Sequence, residues 1–262
     1  MTYTFTGQLG NIWKYRELAL ELFWTYLKLR HVGSVLGFIW TLLNPFLYIL
    51  TYWVVFSLII KMGLENYPLF LIPGYLAWNF TFSAIVNSSE SILHSKELIT
   101  KIAFPNEIIV LANVAVGLVD FIISLFIFFI VIIIFYSPIS YYITFVPIIL
   151  FMQILLTVGV SMLVACISVY YKDIPKLIVI VGNIFFFLTP IFYPLELIPE
   201  NYRIITLINP LAQIINIYHN LIYYKIFPSP ILITITAFVS LGLFTLGFMV
   251  FNKLRFSFAE LS

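Results

Sequence analysis

Apolar residues run along this chain in blocks too long for the core of a domain dissolved in water. Stretches without Asp, Glu, Lys or Arg cover 32–60, 66–89, 108–119, 121–171, 177–195, 204–224 and 226–252. A bilayer core about 30 Å thick is crossed by about 20 apolar helical residues. The block ending at Tyr171 is more than twice that long, and Ser137-Pro138-Ile139-Ser140 divides it with a turn signal. It therefore reads as two helices in a hairpin. Asp120 interrupts the first of these without ending it. The pattern predicts an all-α integral membrane protein, one domain over 1–262, with six transmembrane helices near 34–60, 69–91, 107–136, 141–170, 176–194 and 230–252.

Three segments fall outside that scheme. In 11–30, Lys14, Glu17, Glu21 and Lys28 recur on one helical face, and Ile12, Tyr15, Ala19, Leu22, Phe23 and Tyr26 occupy another. This predicts an N-terminal amphipathic helix lying in the membrane interface, as a plain anchor or as a gate beside the first span. Segment 195–228 is apolar but broken by Pro199, Pro210 and Pro228, with Glu196, Glu200 and Arg203 near its start. A straight crossing helix does not tolerate that distribution. The expectation is an outer re-entrant segment of short helices between spans 5 and 6, shielded from lipid by protein or water; a full crossing at 204–224 is the alternative. Segment 92–106 carries Leu93, Leu98 and Ile102 with Lys96, Glu97 and Lys101 between them and ends near Pro105. It predicts a short amphipathic helix across the membrane base, either a solvated connector or a docking helix for a cytoplasmic partner.

Six crossings place both termini on one side. Lys14, Arg16, Lys28, Arg30, Lys96, Lys101, Lys172, Lys176, Lys253 and Arg255 share that side, and Lys61, Arg203 and Lys225 lie opposite. The excess of basic residues predicts that both termini are cytoplasmic. Composition agrees with lipid as the solvent: 63% of residues are hydrophobic, 9% are charged and the mean hydropathy is +1.09, against roughly 25% charged in soluble domains. The first nine residues hold no Lys, Arg or apolar run, so no cleavable signal peptide is expected.

Candidate chemistry is sparse. No G-x-x-x-x-G-K-[ST] phosphate loop occurs, so ATP is not bound by that route. H-E-x-x-H, C-x-x-C and G-x-S-x-G patterns are also missing. His31, His94 and His219 are far apart and Cys166 is the single cysteine. Neither a metal site, a catalytic site nor a nucleic-acid partner is expected. Asp120 is an intramembrane acid, costly by about 2.5–3.5 kcal/mol on insertion scales. It serves either as a packing hydrogen bond or as a channel-lining or proton-relay group, and no basic partner stands in the neighbouring spans. The 27 Phe, 17 Tyr and 5 Trp exceed what interface belts need, notably at Phe185-Phe186-Phe187, Phe192-Tyr193 and Tyr223-Tyr224. Phe185, Phe187, Phe192, Tyr193 and Tyr223 are candidate walls of a glycan channel, since flat amphipathic rings suit sugar faces; belt and packing roles are the alternative.

Several motifs now stand in order. Arg30-His31-Val32-Gly33-Ser34-Val35-Leu36-Gly37-Phe38-Ile39-Trp40 with Pro45 opens the first span, and Pro73-Gly74 with Trp78 marks the second. Lys101-Ile102-Ala103-Phe104-Pro105, Tyr171-Lys172-Asp173-Ile174, Thr189-Pro190-Ile191-Phe192-Tyr193-Pro194 and Asn209-Pro210-Leu211 follow. Over nearly its whole length the chain resembles the membrane subunit of ABC type-2 exporters, closest to the O-antigen and teichoic-acid polysaccharide permeases. Lys172 and His219 stand where that family more usually has Arg.

The resemblance implies a homodimer around a central path in the cell inner membrane, serving polysaccharide export and lipopolysaccharide biosynthesis. It implies two cytoplasmic ABC ATPase subunits that carry ATP and Mg, coupled through His94, Lys96, Glu97, Lys101, Phe104 and Pro105. It also implies a polyprenyl-diphosphate-linked glycan entering from the inner leaflet past Arg30, His31 and Trp40. A drug or lipid permease of the same class is the runner-up. A secondary transporter would need inverted halves and paired intramembrane charges, and a membrane glycosyltransferase would need a His or paired-acid site; the sequence displays neither.

Overall fold

The computed structural model describes residues 13–30, 32–34, 36–37, 39–102, 104–136 and 140–255. The described residues are helical almost throughout. In chain order the helices are α1 (Arg16–Leu29), α2 (Ile39–Trp53, continued by a π turn over Val54–Ile59), α3 (Tyr67–His94), α4 (Lys96–Lys101), α5 (Glu107–Phe135), α6 (Val146–Tyr170, preceded by a 3-10 turn over Tyr141–Phe145), α7 (Ile174–Leu188), α8 (Ile204–Ile208), α9 (Pro210–Ile222) and α10 (Pro230–Leu254). Local chemistry sets their starts. Asn209 accepts from the backbone N–H groups of Leu211 and Ala212 with Pro210 in the first turn, and Ser229 accepts from Leu232 N–H ahead of α10. Gly33 and Gly37 both take positive φ, which breaks the chain between α1 and α2.

By length and composition, five helices can cross a membrane: Ile39–Ile59, Tyr67–His94, Glu107–Phe135, Tyr141–Tyr170 and Pro230–Leu254. Six were expected. The remaining candidate, expected over 176–194, is helical only over Ile174–Leu188. Its 15 residues rise about 22 Å, less than the thickness of the hydrocarbon layer. Thr189 is extended and Pro190 follows, so the helical ladder cannot continue. The first candidate span, α2, begins at Ile39 rather than near 34, because the two positive-φ glycines precede it.

α3 is the central pillar; most of its side chains are buried, and α5, α6, α7 and α9 pack around it. The closest pair is α6 with α10. A Cβ on Gly159 would overlap the Leu243 backbone, and one on Gly247 would overlap the Gly159 carbonyl. Glycine at both positions lets the two backbones touch, the usual way helices associate where hydrophobic pressure is absent. α7 leans on α3 through Gly182 against the Phe82 ring and Phe186 against the Trp78 ring. Its buried residues are Pro175 and Gly182, and Leu177, Ile180, Ile184, Phe185 and Phe187 are left on the outside.

Arg255, just beyond α10, donates to the buried Glu107 carboxylate at the start of α5 over 2.8 Å. The end of α10 therefore lies beside the start of α5, and α6 and α10 run in the same direction. Segment 195–228 holds two 3-10 turns, α8 and α9. α9 packs on α3 and α6, with Ile214, Ile215, Ile217, Tyr218 and Leu221 buried.

Candidate functional site

Two residues expected to act separately meet in the structure. Arg30, at the end of α1, donates from its guanidinium to Asp120 Oδ2 in α5. Asp120 lies 13 residues beyond Glu107, so it stands roughly 20 Å along α5. The basic partner that the neighbouring spans lack is supplied by the amphipathic helix, 90 residues away in sequence. α1 packs along α5, and its Tyr26 hydroxyl lies 3.3 Å from Ser95 Oγ at the foot of α3. The helix thus runs from the foot of α3 along α5, and the arginine at its end meets the carboxylate in the middle of α5. The pair offsets the cost of an ionised carboxylate at that depth.

The pair borders a cavity of about 150 Å³ walled by α2, α3 and α5. Trp40, Thr41, Asn44, Asn79, Ser83 and Ser124 line it. Trp40 and Arg30 therefore line the same cavity; His31 lies outside the described residues. Thr41 Oγ1 is buried there with no hydrogen-bond partner among the described residues. Directly beyond is an apolar groove of about 430 Å³, lined by Ile39, Leu42, Phe46, Ile49, Ile127 and Val131. Pro45, Leu76 and Ser124 belong to both linings.

The predicted docking helix over 92–106 is shorter than expected. Residues 92–94 complete α3, Ser95 leaves the helical region, and α4 is six residues, Lys96–Lys101. Ile102 is extended, and Pro105 and Asn106 lead into α5. Six residues suffice for one polar surface: His94, Lys96, Glu97 and Lys101 are exposed, and Lys101 Nζ donates to Glu97 Oε2 at 3.2 Å. Phe104 and Pro105 are half-buried beneath it, Phe104 against the core.

The expected glycan-facing aromatics divide. Phe185 and Phe187 point outward from α7. Phe192 does not: it is 1% exposed, stacked on Phe56 at 5.0 Å and edge-on to Phe186 at 4.8 Å. Its carbonyl accepts from the Tyr67 hydroxyl at 2.7 Å. Tyr193 is half-buried and its hydroxyl donates to the Phe187 carbonyl. Tyr223 is half-buried with its ring edge-on to Phe70 in a separate cluster. In that second cluster the Tyr224 hydroxyl is pushed up to about 12, chiefly by burial and then by the negative charge of Glu196. It is a neutral hydrogen-bond donor at physiological pH.

Sequence reasoning missed the polar knot at the centre. Gln153 in α6 donates to the Ala77 carbonyl at 2.9 Å and to Thr81 Oγ1 at 3.0 Å, and accepts from the Tyr218 hydroxyl at 3.0 Å. Thr81 and Thr157 hydroxyls lie 3.2 Å apart beside it. One uncharged glutamine within an apolar block was the only signal. The two outer motifs are also joined: Asn209 donates to Thr189 Oγ1 at 2.9 Å, so the helix-capping asparagine of α9 holds the end of α7. His219, where the resembled family carries Arg, is buried with its ring stacked on Phe70 at 3.8 Å and its Nε2 facing Gly74.

Comparison with known proteins adds to this geometry. The family model described as ABC-2 type transporter matches residues 18–223. An O-antigen export system permease protein RfbA of Klebsiella pneumoniae is 30% identical over 240 residues, 90% of this chain and 91% of that one. A protein of the same name from Myxococcus xanthus is 28% identical over 252 residues, 95% and 97% of the two chains.

Proposed function

The chain belongs to the ABC-2 type transporter family, and from that premise we propose that it is the permease of an ATP-driven exporter that moves a lipid-linked polysaccharide of O-antigen type across the cytoplasmic membrane. The observation that carries the substrate class is the 30% identity to an O-antigen export permease across 91% of that protein's length. The permease itself performs no chemistry. ATP and Mg²⁺ belong to two cytoplasmic ATPase subunits, which press on α4 and on Phe104 and Pro105.

The proposed topology has six crossings with both termini in the cytosol. α6 and α10 run the same way, so the chain between them must cross the membrane a net once. The apolar α7, continued by the buried Ile191 and Phe192, supplies that passage. α9 then dips into the outer half against α3 and α6 as a re-entrant helix. The 10-to-3 division of basic residues supports cytoplasmic placement of the α4 end.

Two copies pair around the glycan path. The face of α7 left open in a single chain, with Phe185 and Phe187, supports that pairing and supplies aromatic walls for a sugar chain. The glycan's diphosphate enters past Arg30 and Trp40. Co-purification with the ATPase tests the assignment: it should be lost in Lys101→Ala or Pro105→Ala, and vesicles holding both chains should export glycan only with ATP. Glycan transport by this chain alone, without nucleotide, would overturn it.

A further inference from the structure

Two further cavities adjoin along α9, on residues distinct from those around Arg30 and Asp120. One, of about 250 Å³, is polar: Glu196, Asn216, Asn220 and Tyr224 line it over the stacked rings of Phe70 and His219. The other, of about 300 Å³, is walled mainly by Leu207, Ala212, Ile231, Leu232 and Ile235. Leu195 and Asn216 belong to both linings. From Asn220 back to Ala212 the helix falls about 12 Å, so the cavities follow one another along it. Tyr224 faces Glu196 in the turn after α7, which makes the polar cavity the outer one in the proposed topology. Leu207 and Ile231 are exposed, so a hydrocarbon chain can enter the apolar cavity from the side.

The polar cavity calls for a cation. Glu196 takes part in no ion pair among the described residues. Arg203, on the same outer segment, is held by the Ile198 carbonyl and by Glu200 instead. α9 also ends at this cavity, and the negative end of its dipole adds to the carboxylate. Asn216 and Asn220 are half-buried one turn apart and offer amide N–H donors to an anion beside that cation. We propose that the two cavities together bind one outer-leaflet phospholipid with a primary-ammonium head, of the phosphatidylethanolamine class. Its ammonium rests on Glu196, its phosphate on the amides of Asn216 and Asn220, and one acyl chain along the apolar cavity. A primary ammonium brings three N–H donors to the carboxylate, and a quaternary one brings none. A purely anionic head meets the carboxylate without a cation between them. The bound lipid bridges the turn after α7, α9 and the start of α10, and so braces a re-entrant segment built of short pieces. The inference needs the chain to lie in a bilayer and is independent of what it transports.

The test is native mass spectrometry of the full chain in detergent, with the melting temperature read in parallel. Phosphatidylethanolamine, phosphatidylcholine and phosphatidylglycerol with identical acyl chains are titrated in turn. Phosphatidylethanolamine should bind about tenfold tighter than the other two and raise the melting temperature, as a ligand of the folded state does. Glu196→Gln should erase that preference. Glu196 is exposed, so the variant keeps the fold. Glu200→Gln changes an exposed acid of the same outer segment and should leave the preference intact. Glycerophosphoethanolamine, the head without its chains, should bind about tenfold more weakly than the lipid.

An unchanged preference in Glu196→Gln, or an equal loss in Glu200→Gln, overturns the site. Equal binding of phosphatidylcholine overturns the primary-ammonium assignment, and tighter binding of phosphatidylglycerol or of a polyprenyl phosphate overturns the cationic head. Equal binding of glycerophosphoethanolamine removes the acyl chain from the apolar cavity and overturns the joint site. Displacement of the bound lipid by a free oligosaccharide assigns the polar cavity to sugar and overturns the lipid reading.

Discussion

Tyr218 donates its phenolic O–H to Oε1 of Gln153 at 3.0 Å, and through that bond the short helix α9 is fixed to the middle of the bundle. Gln153 and Tyr218 are 0% and 1% exposed, and Gln153 also holds the Ala77 carbonyl and Thr81. The knot joins α3, α6 and α9 at side chains that are buried on all three helices. Hydrogen bonds between membrane helices average only about 0.6 kcal/mol. Orphaning a buried group costs more, about 1–3 kcal/mol.

Gln153→Leu should therefore destabilise the protein by about 3 kcal/mol, since the Tyr218 hydroxyl and Thr81 lose a partner together. Tyr218→Phe, which strands only the Gln153 carbonyl oxygen, should cost about a third to a half as much. Thermal unfolding of detergent-solubilised protein, followed by loss of the monodisperse peak, measures both. Equal melting temperatures for Gln153→Leu and the parent would show that the knot contributes nothing.

The α6–α10 contact makes a sharper contrast among glycines. Gly247→Ala places a methyl on the Gly159 carbonyl, and Gly159→Ala places one on the Leu243 backbone. Backbone cannot rotate away as a flexible side chain can, so both variants should separate the helices and lose most of the yield of folded protein. Gly242 lies on the same helix as Gly247, and a methyl there would meet nothing within 4 Å. Gly242→Ala should be neutral or stabilising by about 1 kcal/mol through helix propensity. Membrane-fraction yield and melting temperature of the three variants decide the matter.

These glycines show what can be read from the sequence and what cannot. The helices expected over 107–136 and 230–252 appear as Glu107–Phe135 and Pro230–Leu254, because length and apolarity alone mark such segments. The end of α7 at Leu188 escapes a pattern of charges, since Thr189 and Pro190 carry none. The exposure of Phe187 against the burial of Phe192 depends on how the chain turns after α7, which aromatic composition does not encode. The Arg30–Asp120 pair is hidden for a related reason. The sequence of the neighbouring spans holds no basic residue for Asp120, and its arginine comes instead from a helix that does not span, across 90 residues of sequence. Pairings over such distances are set by packing, not by local pattern.

The segment proposed to meet the ATPase permits a clean separation of folding from coupling. Glu97 and Lys101 form an exposed pair one turn apart, with side chains 88% and 72% accessible. Such a pair contributes at most about 0.5 kcal/mol to the chain that carries it. Glu97→Ala with Lys101→Ala should leave the melting temperature unchanged and reduce ATPase co-purification at least tenfold. A double variant that binds the ATPase normally would move the docking surface elsewhere.

The aromatic residues around the end of α7 separate wall from core. Phe192 is enclosed by Tyr52, Phe56 and Phe186, so Phe192→Ala leaves a cavity and should cost about 3–5 kcal/mol. Export should fall in that variant only as far as folded protein falls. Phe187 is 62% exposed, on a helix face left open by the other described residues. Phe187→Ala should keep the melting temperature within a degree or two, and if its ring lines the glycan path, export per folded transporter should drop severalfold, with Phe187→Tyr restoring it. Normalising export in vesicles to the monodisperse protein separates the two effects. Full specific export by Phe187→Ala would assign that ring to lipid or to the partner copy and leave the sugar path to be sought elsewhere.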